Sequence, residues 1–502
     1  MKPIKTIIFL FLMTGSIQSY AQFKLSGKID GYTGKEILKV NIPVVYGFNR
    51  ENSIEIPVDK NGNFSIIVPL TEKKFGDLIF EKTFYTYLLS PGKSLTLLCK
   101  KKDSTVLTIS GTAINENQLM TSVNLRKQPF FMQKDKSFND SLNSINAIEE
   151  KVIKPWMSIR DQRIKAVKSS LISNQDKALI IAEIKYNAIN NLSYVKYNIK
   201  DRKVANDFYL YLYDPLQTTP EVFPAGPEYY TFARDYLGYL GPKAIDNKSK
   251  KRLTDKEPLD FYKISYDSAN VVERKFGKPY LRFMLANNIL PLNVNEQLTY
   301  KEIVDVYNDK DLRLLEPLVN AYTAKFKTGK LVPDAKSCLA KLRIRLASNA
   351  KNKEIQIIPN FEKISSIYDV INKLKGKVVY LDVWGTWCGP CKEELKYTPE
   401  LKARFKDKDV AYVYLDLDDD NLDTQWRAFI ITNNMEGLHL RKSRQTIVPF
   451  WKELLANSED KEEYYPQYFI FDKEGKLVVT KAKRPSGKEE LYTQIEQFLI
   501  KP

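Results

Sequence analysis

Apolar and polar residues alternate with a period of about two between residues 22 and 113. The segment "SIEIPVDKNGNFSIIVPL" alternates into Asn61-Gly62 and leaves it with apolar residues again at every second position. An Asn-Gly pair between two such runs is a strong hairpin signal, because both residues tolerate the positive φ of a tight turn. The pattern predicts a β-sandwich domain over residues 22–113, and we see no catalytic constellation in it.

Between residues 114 and 352 the apolar positions recur at intervals of three and four. This spacing places side chains on one face of a helix, where they can be buried against a second helix. The clearest run consists of Ile181, Ile184, Ala188, Leu192, Val195 and Ile199. Four prolines in "YDPLQTTPEVFPAGPEYY" rule out a continuous helix there. The pattern therefore predicts a mostly α-helical domain with one long irregular loop.

Strand and helix patterns alternate from residue 353 to residue 502. The runs "VVYLDVW" and "VAYVYLDLD" suit buried strands, and "QYFIFD" with "KLVVT" predicts a hairpin. Ser486 and Glu489 have the spacing of a capping box, which would open a last helix that ends near Leu499. Such alternation indicates a sheet covered by helices on both faces, so the chain is predicted to be multidomain, with a C-terminal α/β domain.

The composition is that of a folded chain with several domains. A chain of 502 residues is too long for one hydrophobic core, and 43% hydrophobic with 28% charged residues is typical of globular proteins. The net charge of +17 comes from lysines spread along the chain rather than from one basic block. We interpret it as a solvated surface and expect no nucleic-acid partner, because no nucleic-acid-binding motif is present.

The first 21 residues have the order of a secretory signal peptide. Lys2 and Lys5 precede an apolar run over residues 7–13, and small and polar residues lead to Ala21. The apolar run is too short to span a bilayer, and no later run reaches the length of a membrane helix. We expect cleavage after Ala21, export of the chain, and no transmembrane segment in the mature protein.

Two of the four cysteines, Cys388 and Cys391, stand in one four-residue window. A disulfide-stapled exported fold of this size would use many more cysteines, so structural stapling is not their expected role. Cys388 lies where a predicted strand gives way to a helix, and a helix N-terminus lowers the pKa of a thiol. Cys391 lies on the same helix face, from which it could attack a mixed disulfide at Cys388. The pair is predicted to cycle between dithiol and disulfide, with no separate cofactor.

Other roles for this pair remain open. A structural zinc site would need two more ligands, whereas His439 is the only histidine and Cys99 and Cys338 fall in other predicted domains, so no metal is expected. A permanently closed structural disulfide and a redox-inactive binding scaffold are the remaining alternatives. We expect Cys99 and Cys338 to be unpaired buried thiols, with one bridge between their domains as the alternative.

The segment "DVWGTWCGPC" resembles the active-site segment of the thioredoxin superfamily. Together with the predicted signal peptide, it is similar to the exported TlpA/ResA-like thiol-disulfide oxidoreductases of Gram-negative bacteria. The resemblance covers residues 354–502 and implies a thioredoxin fold there. Gly389 and Pro390 between the cysteines resemble the reducing members of the superfamily. A periplasmic protein-disulfide reductase is therefore the implied function.

The resemblance also implies roles for individual residues. Cys388 matches the attacking cysteine, Cys391 the resolving cysteine, and Asp382 the buried acid that handles the proton of the resolving thiol. A carboxyl in apolar surroundings keeps its proton to higher pH, which suits that role. Tyr465-Pro466 stands where the family carries a cis-proline that faces the cysteines and frames the substrate groove.

The expected substrate-binding residues around the dithiol are Trp387, Gly389, Pro390, Tyr465 and Pro466. Exported client proteins with disulfides are the expected partners, and the family implies a membrane protein as electron donor. The alternative is an exported binding or assembly protein that uses the thioredoxin module only as an interaction scaffold. Trapping of a mixed disulfide at Cys388 would distinguish these two hypotheses.

Overall fold

A computed structural model describes residues 22–48, 52–81, 83–100, 106–459 and 461–500. The predicted signal peptide, residues 1–21, lies outside the described residues. The chain divides into two compact units, of which the second contains Ala269–Met284 and Thr299–Pro502. The predicted fold class is confirmed, since β-sheets come first, helices follow, and an α/β sheet closes the chain. The domain boundaries at residues 113 and 352 stay predictions.

The first unit begins with two four-stranded sheets, ordered β4-β1-β7-β8 and β3-β2-β5-β6. Buried side chains from both sheets, among them Phe23 and Phe80, form one core. The turn at Gly62 has the expected positive φ of 82°, but β3 and β4 on its two sides lie in different sheets. The strands are β1 (Gln22–Asp30), β2 (Leu38–Asn41), β3 (Ser53–Glu55), β4 (Asn63–Pro69), β5 (Lys74–Phe80), β6 (Thr83–Leu89), β7 (Ser94–Lys100) and β8 (Val106–Ser110).

Helices follow the two sheets. The proline-rich segment 214–226 is irregular, and the next helix begins at Pro227, where a missing N–H is tolerated. The helices are α1 (Ile114–Val123), α2 (Lys136–Asp140), α3 (Ile145–Ile148), α4 (Lys154–Ser169), α5 (Asn174–Ser193), α6 (Arg202–Tyr213), α7 (Pro227–Lys251), α8 (Tyr266–Phe276), α9 (Lys278–Ile289) and α10 (Leu292–Asn308).

The second unit contains a six-stranded sheet ordered β14-β13-β10-β11-β12-β9. Its strands are β9 (Ile355–Ile357), β10 (Val378–Trp384), β11 (Val410–Asp416), β12 (Gly437–Arg441), β13 (Gln467–Phe471) and β14 (Leu477–Val479). Every residue of β10 is buried, as its apolar run predicts. β10 pairs in parallel with β11 and antiparallel with β13. It is therefore a central strand, and the residues that follow its C-terminal end lie near the middle of one edge of the sheet.

Helices flank this sheet. They are α11 (Leu312–Lys325), α12 (Val332–Asn349), α13 (Tyr368–Ile371), α14 (Gly389–Leu395), α15 (Thr398–Arg404), α16 (Asp423–Thr432), α17 (Val448–Leu454) and α18 (Glu489–Leu499). The chain after Cys391 forms two separate helices, α14 and α15, and Pro399 stands at the start of the second. Within the described ranges, no helix combines the length and the apolar character needed to cross a membrane.

The helices α11 and α12 pack against α16 within the second unit. The Asn349 side-chain amide donates to the carbonyls of Ile431 and Thr432 at 3.0 and 3.3 Å. These carbonyls belong to the last turn of α16, where the helix itself offers no donor. The end of the predicted helical region is therefore attached directly to a helix that covers the sheet.

Candidate active site

The two cysteines lie at the N-terminus of α14, which follows β10 after a short turn. Cys388 is the N-cap of α14, and its Sγ accepts the backbone N–H of Cys391 at 3.1 Å. The two cysteines form a disulfide with their Cα atoms 5.2 Å apart. A sulfur in the N-cap position faces the unpaired N–H groups of the first helical turn, which favour a thiolate once the disulfide is reduced.

Trp387, the residue before Cys388, forms an aromatic and cationic rim with Tyr465 and Arg444. Cys388 is only 4% exposed, whereas the neighbouring Trp387 is 45% exposed. The Trp387 ring lies 5.4 Å from the ring of Tyr465, edge to face, and the guanidinium of Arg444 stands 5.3 Å above it. The Tyr465-Pro466 peptide bond is cis. The structure thus brings Trp387 together with Tyr465, which sequence alone places 78 residues later in the chain.

Gly389 and Pro390 occupy the first turn of α14 between the two cysteines. Both residues are exposed, while Pro466 is buried beside the half-buried Tyr465. Of the predicted substrate-binding residues, those on α14 are therefore exposed, and those just before β13 are more buried. Their roles in binding stay predictions.

Asp382 lies in the middle of β10, buried between two neighbouring strands. It is in register with Tyr414 on β11 and with Tyr468 on β13. Its Oδ1 atom accepts no hydrogen bond from the residues that the structure describes. Burial raises the pKa of Asp382 well above its ordinary value, and the negative charge of Glu394 adds to the effect. Such a carboxyl can exchange a proton close to neutral pH.

Glu394 is a second buried acid that the sequence reasoning missed. It lies in the last turn of α14, 8% exposed, and accepts hydrogen bonds from the backbone N–H and the hydroxyl of Ser486 at 2.9 and 3.0 Å. The predicted capping box at Ser486 is wrong, because α18 begins at Glu489 without a side-chain cap. A signal was present, since Glu394 follows Cys391 by three residues and so shares its helix face.

Asp418 fixes the loop that carries the first cysteine. The Thr386 N–H donates to Asp418 Oδ1 at 3.0 Å, and the Thr386 hydroxyl donates to the other carboxylate oxygen. The Arg441 guanidinium also binds Asp418, because it donates to the Asp418 backbone carbonyl at 3.0 Å. Asp418 belongs to an acidic run, residues 416–420, at the end of β11 and just after it. In the described ranges, no group of three or more acidic, cysteine or histidine side chains could hold a metal ion.

The remaining histidine and cysteines lie outside this site. His439 is buried in β12 and stacks on Tyr414, and burial lowers its pKa to about 3, so it is neutral at physiological pH. Cys99 and Cys338 are free thiols, as expected, but only Cys99 is buried, whereas Cys338 is partly exposed. Burial raises the pKa of Cys99 to about 12, which leaves almost no reactive thiolate.

Comparisons with known proteins concern this part of the chain. Residues 329–495 match the Redoxin family model. The thiol-disulfide oxidoreductase ResA of Bacillus anthracis is 33% identical over 135 residues, which make up 26% of this chain and 66% of ResA. The chain therefore spans slightly less than two thirds of the length of this curated relative.

Another curated relative and a solved structure are also similar to part of this chain. ResA of Bacillus subtilis is 46% identical over 43 residues, or 9% of this chain and 24% of that protein. Among solved structures, the thioredoxin domain of a thiol-disulfide oxidoreductase from Bacteroides vulgatus is 25% identical. The match covers 26% of our chain and 83% of the chain in that structure, with a TM-score of 0.21.

Proposed function

We propose that this chain, whose residues 329–495 match the Redoxin family model, is a periplasmic protein-disulfide reductase of the TlpA/ResA-like thioredoxin superfamily. One observation carries the proposal. The Cys388–Cys391 disulfide stands at the N-terminus of a helix, at the end of the strand that holds a buried acid, Asp382. The position of Cys388 at the helix N-terminus lowers the pKa of its thiol, and Asp382 accepts the proton of the Cys391 thiol.

The proposed reaction begins with the reduced pair. The Cys388 thiolate attacks one sulfur of a client disulfide, so that a mixed disulfide forms and the other client sulfur leaves as a thiolate that takes a proton. The ionised carboxylate of Asp382 accepts the proton of Cys391, and the Cys391 thiolate attacks Cys388 Sγ. The second client thiol is released, the Cys388–Cys391 disulfide forms again, and two electrons have passed to the client.

The rim supplies the contacts for the client. Trp387 and Tyr465 present aromatic surface beside the disulfide, and Gly389, Pro390 and Pro466 complete the groove. A segment held there in extended form would bring its own disulfide to Cys388, whose side chain is nearly buried. The clients in this proposal are exported proteins with disulfides.

Regeneration needs a donor of two electrons outside this chain. A membrane protein with a dithiol of its own fits that role, because it can reduce Cys388–Cys391 by the same exchange chemistry with no other cofactor. The periplasmic location follows from the predicted leader. N-terminal sequencing of the secreted protein should then begin at Gln22, and an intact leader on the functional protein would contradict export by cleavage.

Reduction of insulin with a supplied reductant tests the proposed function. The wild-type protein should accelerate insulin precipitation, and Cys388→Ser should abolish the acceleration because no mixed disulfide can form. Cys338→Ser is the matched control, since it removes a free thiol from the same unit and should leave the rate unchanged. A folded wild-type protein without activity would favour the scaffold hypothesis instead.

A further inference from the structure

The start of α11 touches a residue that flanks the disulfide. Asp311, the N-cap of α11, places Oδ2 3.3 Å from the Nζ atom of Lys392, which directly follows Cys391. The Asp311 side chain is 4% exposed and that of Lys392 is 10% exposed. Because little water reaches this pair, each charge depends on the other for most of its compensation, unlike an ion pair on the surface. The half-buried Asp309 is a second carboxyl near Lys392, since burial raises the pKa of Asp309 and the charge of Lys392 opposes that rise.

The Lys392 ammonium is confined from a second direction as well. It lies 5.4 Å from the centre of the Phe429 ring, whose own centre is 5.6 Å from the ring of Trp384 at the end of β10. An ammonium over an aromatic face is attracted to it, more so when water is excluded. The charge of Lys392, a residue of α14 that directly follows Cys391, is therefore held between the start of α11 and the Phe429 ring of α16.

The start of α11 also influences the loop that precedes Cys388. Burial raises the pKa of Asp418, and the positive charge of Arg313 opposes that effect. Asp418 in turn holds Thr386, two residues before Cys388. Asp311 thus acts on Lys392, which follows the dithiol, and Arg313 acts on Asp418, which holds the loop before it. Both residues lie outside the predicted thioredoxin-like domain.

We infer that Asp311 is a positioning residue of the redox centre, which holds and neutralises the charge of Lys392 and so tunes the balance between dithiol and disulfide. The inference rests on the proposed function, because it assigns a role only if Cys388 and Cys391 cycle. The physical reason is that the reduced state carries a thiolate and the disulfide state carries no charge. An uncompensated ammonium nearby stabilises the thiolate and therefore favours the reduced state.

Asp311→Asn isolates this charge effect from the capping role of Asp311. The Oδ1 atom of Asp311 caps α11 by accepting the Leu314 N–H at 3.1 Å, and asparagine caps helices equally well. At equilibrium with dithiothreitol, the variant should favour the dithiol by about threefold or more over wild type. The pH midpoint for alkylation of Cys388 by iodoacetamide should fall in the same variant.

Glu316→Gln is the matched control. It removes another carboxylate from α11, one that pairs with Arg343 at a half-exposed position away from the cysteines. This control should leave both the equilibrium and the alkylation profile as in wild type. Equal shifts in the two variants would overturn the inference, because they would reflect net charge or the stability of α11 rather than the pair with Lys392.

Lys392→Met provides the reverse change and decides the matter if Asp311→Asn does not fold. Loss of the ammonium leaves the Asp311 carboxylate alone, so the dithiol should become less favoured than in wild type. The double variant should return toward the wild-type equilibrium. A folded single variant with the wild-type equilibrium and alkylation profile would overturn the inference, while a wild type that cannot be cycled at all would instead refute the proposed function.

Discussion

At the scale of single residues, Asp382 occupies a position in which its ionised form is unfavourable. The carboxyl is buried in β10, its Oδ1 atom has no hydrogen-bond partner in the described ranges, and Glu394 adds a second negative charge nearby. An unfolded aspartate has a pKa of about 3.9, so above that pH the folded chain keeps a proton at Asp382 that the unfolded chain has lost. A buried acid that lowers stability is typical of a functional site rather than of a core.

Asp382→Asn should make the second unit more stable than wild type at about pH 7, by about 1.4 kcal/mol for each unit by which the pKa is raised. The advantage should shrink as the pH falls toward about 4 and disappear below it, because the unfolded carboxyl then also becomes protonated. Urea unfolding followed by tryptophan fluorescence at both pH values measures this. Asp409→Asn, at an exposed carboxyl, is the control, and a variant less stable than wild type at neutral pH would refute the burial argument.

Thr386→Val should weaken the loop before Cys388. The change keeps the shape of the side chain but removes the hydroxyl that donates to the buried Asp418, which costs about 1 to 3 kcal/mol for an unsatisfied buried acceptor. We expect a lower urea midpoint and slower insulin reduction. Thr432→Val is the comparison, since its buried hydroxyl donates only within α16, and an equal loss of rate in both variants would contradict a special role for Thr386.

At the scale of elements, the C-terminal strands and the cysteine-bearing helix were predictable because their patterns are local. The apolar run of β10 and the placement of Cys388 at a helix start both follow from neighbouring residues. The contacts that complete the site are not local. Ser486 reaches Glu394 across 92 residues, Lys392 reaches Asp311 across 81, and Asp418 reaches Thr386 across 32. Such contacts leave no periodic pattern in one sequence.

Gly437→Ala should disturb the pairing of β11 with β12. Gly437 has a φ of 127°, and a Cβ there would lie 2.6 Å from the carbonyl oxygen of Tyr412. We expect a loss of about 1 to 3 kcal/mol from backbone strain, with a further loss from the clash, measured by urea unfolding. Gly376→Ala is the matched control, since it shares a positive φ but its Cβ would meet no atom within 4 Å. Equal losses would contradict the proposed clash.

At the scale of the whole molecule, part of the helical region belongs to the same compact unit as the thioredoxin-type domain. The helices α11 and α12 cover α16, and Asn352 donates to Asn434 and Glu436 at 2.9 and 3.0 Å just after α12 ends. Sequence reasoning separated the two regions near residue 352 because the apolar period changes there. A change of period marks a change of secondary structure, and two such regions can still belong to one compact unit.

A fragment of residues 353–502 should therefore be less stable than one of residues 299–502. Removal of α11 and α12 exposes the apolar surface of α16 and leaves the last carbonyls of that helix without the Asn349 amide. The urea midpoint of each fragment, followed by tryptophan fluorescence, makes the comparison. Equal midpoints would show that α11 and α12 contribute nothing to the stability of the sheet domain.

The most direct test of the central claim is to trap the mixed disulfide in the Cys391→Ala variant. Without the resolving thiol, Cys388 should stay bonded to client proteins from the periplasm, and mass spectrometry should find the client cysteine attached to the peptide that contains Cys388. The complexes should dissociate with dithiothreitol and be absent from a variant that also carries Cys388→Ala. The same complexes in both variants, or attachment through Cys99 or Cys338, would contradict the account.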